Sequence, residues 1–479
     1  MSDLKNKSLK GVAWSFLESA SLKIIQFVLN VIMARLLLPE HYGVIALIMV
    51  FITISQIFID GGFATTLIQD KKKTERDYST VFTFNIIISC ICYLILFLAA
   101  PFISKFYNND ITLYLRVQSI GLIIYSFSAI HRIRMTVAVD FKSIAKVTLF
   151  AALMSGCIGI LMAYSGFGVW ALVGQYLSSA IITSVLFAFF QKWKPVCFFD
   201  IQSFKRLFPF GIKLLAANLI DRIYANLYPI LVGKFYTSKE LGYYSRAEQF
   251  AHLPAGTLTD VFMRVTYPVM SSINDDVSLV NVYRKFITLS SYVFFPILLV
   301  LAVVSKPLIL ILLTDKWAEI IPLLQIICFG YLYDHICAIN RNLLYVKGRS
   351  DLALKVEIIK KVAATIILLI SLPFGLLGLC IGKVVYGMSA VYLNSIYTKS
   401  LIGVSLWGQI KDFGPSWIMA VISAVVAYIP VLFLNNSWAQ LFAGGGAFVG
   451  IYVGISTILK YPPFIEIINL VKEKMLKIA

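Results

Sequence analysis

Long apolar runs, broken by short polar connections, set the rhythm of this chain. Fourteen stretches, at approximately 11–38, 43–68, 81–104, 112–131, 143–164, 167–190, 209–235, 242–272, 287–313, 318–340, 354–372, 375–398, 415–434 and 439–459, are each candidate membrane spans. A helix needs about 20 mostly apolar residues to cross the hydrocarbon core. The runs are continuous rather than alternating, which excludes the period-two strands of a membrane β-barrel. The eighth stretch is the least hydrophobic and the most charged. The first follows Lys5, Lys7 and Lys10 and is too long for the apolar core of a cleaved leader, so it reads as a span.

The pattern also repeats. Arg35-x7-Gly43 in "RLLLPEHYG" matches Lys234-x7-Gly242 in "KFYTSKELG", an offset of 199. Asp60 pairs with Asp260, His131-Arg132 with Asn340-Arg341, and Lys146-Val147 with Lys355-Val356, the last two at an offset of 209. The predicted fold is therefore all-α and membrane-integral. It has two six-helix bundles, 1–198 and 199–404, in pseudo-two-fold relation, followed by two further spans and a tail in 405–479. An even number of spans per half gives the halves the same orientation, related by an axis along the membrane normal, with a cavity between them.

Composition agrees. The chain is 59% hydrophobic and only 14% charged, with a mean hydropathy of +0.84. A soluble protein would carry about 25% charged residues. The net charge of +18 would suggest nucleic acid in another context. Here it matches the Lys/Arg excess of cytoplasmic loops, so no nucleic acid is expected. With the N-terminus inside, the inner connections collect Lys71, Lys72, Lys73 and Arg76; Arg132, Arg134 and Lys142; Lys192, Lys194, Lys205 and Arg206; then Arg284, Lys285, Arg341, Lys347, Arg349, Lys399 and Lys411. Lys472, Lys474 and Lys477 follow in the tail. The outer connections "LPEHYG", "YSGFG", "SLPFG" and "LNNSWAQ" hold neither Lys nor Arg. Both termini are thus expected in the cytoplasm.

A charge at mid-bilayer costs at least ~2.5–3.5 kcal/mol, so such residues usually face protein or water. In the eighth stretch Leu253, Thr257, Asp260 and Arg264 fall within roughly 40° of Arg246 on a helical wheel. The seventh adds Lys213, Asp221, Tyr224 and Tyr228, with Arg222 beside them. The first gathers Ser15, Glu18, Ser19, Lys23, Gln26 and Asn30 within about 140° of arc. One reading is a water-filled, net cationic cavity suited to phosphate or acidic groups. The other is that Asp221–Arg222 and Asp260–Arg264 are structural pairs. Lys383, deep in the twelfth stretch, has no local partner and fits either reading. Gly61, Gly62, Pro229, Pro254 and Pro268 read as packing points more than as moving bends.

Catalytic chemistry has no home here: there is no phosphate-binding loop, no H-E-x-x-H and no G-x-S-x-G. The seven cysteines form no metal-like pattern and read as small buried residues. No catalytic residue, metal or cofactor is expected.

The stretch "LKGVAWSFLESASLKIIQFVLNVIMARLLLPEHYGVIALIMVFITISQIFIDGGFATTLIQ", together with "YYSRAEQFAHLPAGTLTDVFMRVTYPVMS", resembles the polysaccharide transporter branch of the MATE-like (MOP) flippase superfamily, the Wzx-type O-antigen exporters. The resemblance covers essentially the whole chain. It implies a flippase of the bacterial inner membrane that moves undecaprenyl-diphosphate-linked oligosaccharide repeat units by alternating access, for lipopolysaccharide, capsule or exopolysaccharide biosynthesis. Its partners would be the lipid-linked oligosaccharide, the phospholipid membrane, and glycan polymerase and chain-length proteins. On that reading Lys213, Arg222, Arg246 and Arg264, with Glu18 and Lys23, bind the substrate. Asp60, Asp221 or Asp260 would carry a coupling proton or sodium ion. A peptidoglycan lipid II flippase, a MATE-type drug exporter and a non-transporting scaffold of a glycan synthase complex are the alternatives. The drug exporter fits least, because a cavity that exports cations should be net acidic.

Overall fold

The computed structural model describes residues 2–70 and 72–476, with the backbone alone at 2–13, 15–17, 470, 471 and 474–476. Lys71 and Lys477 lie outside the described residues, as do the side chains of Lys5, Lys7, Lys10, Ser15 and Lys474. Among the described residues the regular structure is entirely α-helical and 3-10, with no strand.

Among the described residues eleven helices are long and apolar enough to cross a membrane, against the fourteen expected, and each difference has a physical cause. The helical run Ser350–Ile402 is counted once, yet it folds at the 3-10 turn Leu372–Phe374 and Gly375 (φ 75°). Helices Ser350–Ser371 and Gly375–Ser395 then pack against each other as a hairpin, so they hold the two predicted stretches. The stretch 209–235 is broken at Asn226 into Ile201–Ala225 and Leu227–Phe235, and Lys205, Arg206, Lys213, Asp221 and Arg222 leave the longer helix too charged to count as an apolar span. The stretch 242–272 lies in one helix, Ser238–Ser271, whose polar positions keep its mean hydropathy low.

The chain divides into two compact units, Met1–Gly242 and Tyr243–Ala479. The first therefore takes in the helices Ile201–Ala225 and Leu227–Phe235, beyond residue 198. Ile201–Ala225 packs on Pro39–Asp60, Phe63–Gln69 and Glu75–Tyr107. Also within this unit, Ser2–Leu36 packs on Phe141–Tyr164, and Thr112–Val137 joins Glu75–Tyr107 to Val169–Gln191. In the second unit Leu406–Phe433 packs on Asp276–Val303 and on Ser437–Ile458. The last two spans are thus built into that unit.

Local sequence explains the helix ends. Pro39 opens its helix with the φ a first turn needs. Gly61 (φ 53°) and Gly62 (φ 70°) close it in the left-handed region. A Cβ at Gly62 would stand 2.4 Å from the Gly211 carbonyl oxygen, so this pair both turns the chain and lets two backbones touch. Thr74 and Asp77 form a reciprocal cap: the Asp77 N–H donates to Thr74 Oγ1 at 3.4 Å, and the Thr74 N–H to Asp77 Oδ2 at 2.7 Å. The repeat is visible inside the first unit. A Cβ at Gly43 would meet Ser238 O at 1.7 Å, and one at Gly242 would meet Pro39 O at 2.0 Å. Pro39 and Ser238 share the 199-residue offset of Gly43 and Gly242, so equivalent hairpins cross with equivalent glycines at the crossing.

Candidate functional site

A polar cavity of about 530 Å³ lies inside the first unit. Asp60 reaches it because it is the last residue of Pro39–Asp60, held at the Gly61–Gly62 turn. Tyr125 Oη donates to Asp60 Oδ1 at 3.3 Å. Arg132, seven residues on and so on the same face of Thr112–Val137, lines the cavity too. Gln56, one turn before Asp60, points its Nε2 at Tyr176 Oη, 3.5 Å away. Gln26 completes the wall from the first helix. Glu18 is 8% exposed and accepts from the lining residue Thr148 at 3.1 Å.

The arrangement sets one carboxylate, one guanidinium and several neutral hydroxyl and amide groups around a space large enough for water or a small cation. Of the predicted residues it gathers Asp60 directly and Glu18 through Thr148; Lys23, Lys213, Asp221 and Arg222 do not line it. Sequence reasoning missed Tyr125, Tyr176 and the role of Arg132, which it assigned to a connection. The i, i+7 spacing of Tyr125 and Arg132 was the available signal.

Elsewhere in the first unit Lys213, Asp221 and Arg222 are exposed. The ammonium of Lys213 and the guanidinium of Arg222 make no hydrogen bond or ion pair among the described residues. In the second unit Asp260 and Arg264 are exposed as well. They form no ion pair with each other or with any other described residue, so the i, i+4 pair is not made. Arg264 lines an open groove of about 580 Å³ with Tyr267, Tyr345 and Ser350. Arg246 differs: it is 8% exposed and its guanidinium donates to Gln249 Oε1.

Lys383 has a partner after all. Its Nζ lies 2.5 Å from both carboxylate oxygens of Glu248 and donates to Tyr331 Oη at 2.9 Å; Tyr331 in turn donates to Glu248. Nearby on the same unit Glu357 accepts from Arg341 at 3.3 Å and from Lys360 at 2.9 Å. Glu248 stands two residues from Arg246, about 200° around the helix. The stripe found in the sequence and the half-buried pair therefore occupy opposite faces of Ser238–Ser271.

Comparison with known proteins places the chain. It is 26% identical to the teichuronic acid biosynthesis protein TuaB of Bacillus subtilis (strain 168) over 360 residues, 74% of each chain. It is 25% identical to the lipopolysaccharide biosynthesis protein WzxC of Escherichia coli (strain K12) over 362 residues, 74% of this chain and 73% of that one. Among solved structures, the lipid II flippase MurJ in an inward closed conformation superposes with a TM-score of 0.75. That match has 16% identity and covers 93% of this chain and 99% of that one. The chain thus shares the all-helical fold of that structure. Residues 32–322 match the family described as polysaccharide biosynthesis protein, and the chain belongs to that family.

Proposed function

We propose that this protein is a flippase that carries undecaprenyl-diphosphate-linked oligosaccharide repeat units across the bacterial inner membrane by alternating access, and that it is a transporter rather than an enzyme. One observation carries the reading: a member of a polysaccharide biosynthesis family has the fold of a lipid flippase over 93% of its length. The cationic groups left unpaired within each unit supply the chemistry. Lys213, Arg222 and Arg264 lack protein partners among the described residues; a diphosphate would satisfy them, by bidentate contact at Arg and as a point charge at Lys. We assign the headgroup to these three and to Arg246, with Glu18 and Lys23 contacting polar sugar groups.

We assign the coupling proton or sodium ion to Asp60, which has a cavity, a hydroxyl partner and a nearby guanidinium; Asp221 and Asp260 do not line that cavity. Deletion of the protein should leave lipid-linked oligosaccharide on the inner leaflet. The double variant Arg246→Ala, Arg264→Ala should reproduce that accumulation, with surface glycan falling tenfold or more (about 1.4 kcal/mol); full export would remove the headgroup assignment. Asp60→Asn should bind substrate normally but lose the dependence of transport on an imposed ion gradient. Unchanged gradient dependence would exclude Asp60. The lipid flippase fold also admits lipid II as cargo, and complementation of strains lacking one or the other flippase separates the two.

A further inference from the structure

The segment between the helices Val169–Gln191 and Ile201–Ala225 is built as an exposed platform. Its backbone is fastened to the start of Glu75–Tyr107: the Val196 N–H donates to Ser79 Oγ at 2.9 Å, the Asp200 N–H to Thr80 Oγ1 at 3.0 Å, and Thr83 donates to Phe198 O. Trp193 Nε1 adds a bond to Glu75 at 2.8 Å. On this fixed backbone Phe198 is 78% exposed and Val196 63%, and Phe189, near the end of the preceding helix, is 69% exposed, an apolar surface that no described residue covers.

The cations divide into two sets. Arg206 is held by Asp77 at 2.5 Å and Arg134 by Glu75 at 2.7 Å. Lys192, Lys194 and Lys205 are exposed, and their ammonium groups make no hydrogen bond or ion pair among the described residues. Asp200, the nearest acid in the segment, is occupied as the helix cap by Ser203 N and Oγ at 3.0 and 2.6 Å. Exposed aromatic rings set among unpaired lysines suit the boundary between acyl chains and anionic headgroups.

We propose that residues 189–205 form a binding site for anionic phospholipid, with Phe189 and Phe198 seated among the upper acyl carbons and Lys192, Lys194 and Lys205 on the lipid phosphates. The site fixes the depth of the connection that leads into Ile201–Ala225. It uses none of the residues assigned to the translocated headgroup.

The test is native mass spectrometry of the purified full-length protein titrated with phosphatidylglycerol and, separately, phosphatidylcholine. Replacing Lys192, Lys194 and Lys205 together by Gln should weaken the tightest phosphatidylglycerol binding at least tenfold, since each juxtamembrane lysine contributes about fivefold. Phosphatidylcholine binding and the melting temperature should stay unchanged. Phe198→Ser should weaken both lipids. A matched triple substitution at the exposed Lys399, Lys411 and Lys460 should leave phosphatidylglycerol affinity within about twofold. Should the first triple not fold, Lys194→Gln alone should show the fivefold step. Equal affinity in wild type and the Lys192/Lys194/Lys205 variant, or equal loss in the control triple, overturns the site.

Discussion

Lys383 sits in an apolar helix, and its charge is met by Glu248, 135 residues away. Removing one member of a fully buried pair costs about 3–5 kcal/mol, because the other charge is left uncompensated. Glu248 keeps 29% side-chain exposure, so water relieves part of that cost. Lys383→Met should therefore destabilise the protein by about 2 kcal/mol, read as a lowered melting temperature in micelles. Adding Glu248→Gln should recover most of the loss, because a neutral amide can bond to Tyr331 without a counter-charge. A neutral Lys383→Met would show that the pair contributes nothing. Part of this residue-scale picture was legible beforehand. A lysine deep in a span demands a partner or water, so the question could be posed from sequence. The answer could not, because Glu248 lies on the helix face opposite the stripe that drew attention. Asp60 was legible as an intramembrane carboxylate, while Tyr125 and Tyr176, as aromatic residues in apolar runs, gave no sign that their hydroxyls point into a cavity.

Element ends are governed by short-range chemistry that also titrates. Asp275 caps Asp276–Val303 through the Ser278 N–H at 2.7 Å, and Asp200 caps Ile201–Ala225 through Ser203. These bonds, chiefly to the Ser278 backbone and the Ser203 side chain respectively, hold both carboxyls below the usual carboxylate range of 3.8. A lowered folded value means the stabilisation is complete above the unfolded value, about 3.9, and is lost as pH falls through the folded one. Asn caps equally well and does not titrate. Asp275→Asn should thus match wild type at neutral pH and lose less stability below about pH 4. Parallel melting curves down to the lowest accessible pH would contradict this. Most elements were readable at this scale, since a continuous apolar run, a capping residue and a glycine pair each act within a few positions. The stretches at 209–235 and 242–272 were recognised as runs, but the break at Asn226 was not. Pro229 was the available signal, since it has no N–H to give the Ala225 carbonyl four residues back, whereas the helices that Ile201–Ala225 packs on come from far earlier in the chain.

At the scale of the whole molecule, topology turns on parity. The run Ser350–Ile402 holds 53 residues, about 80 Å as a single straight helix against ~30 Å of hydrocarbon. Its two halves pack on each other, so it crosses twice and turns near Pro373. With that hairpin the apolar spans number twelve, and the polar helix Ser238–Ser271 with its broken predecessor adds either two crossings or none. Both totals are even, which predicts termini on one side of the membrane whichever holds. The Lys and Arg of the even-to-odd connections predict that this side is the cytoplasm. Alkaline phosphatase fused after Ala479 or before Ser2 should be inactive, green fluorescent protein at the same points should fluoresce, and phosphatase inserted at Pro373 should be active. Active phosphatase at the C-terminus with inactive enzyme at the N-terminus would require an odd count. The run would then cross once, and the like-oriented halves inferred from the 199-residue repeat would have to be given up.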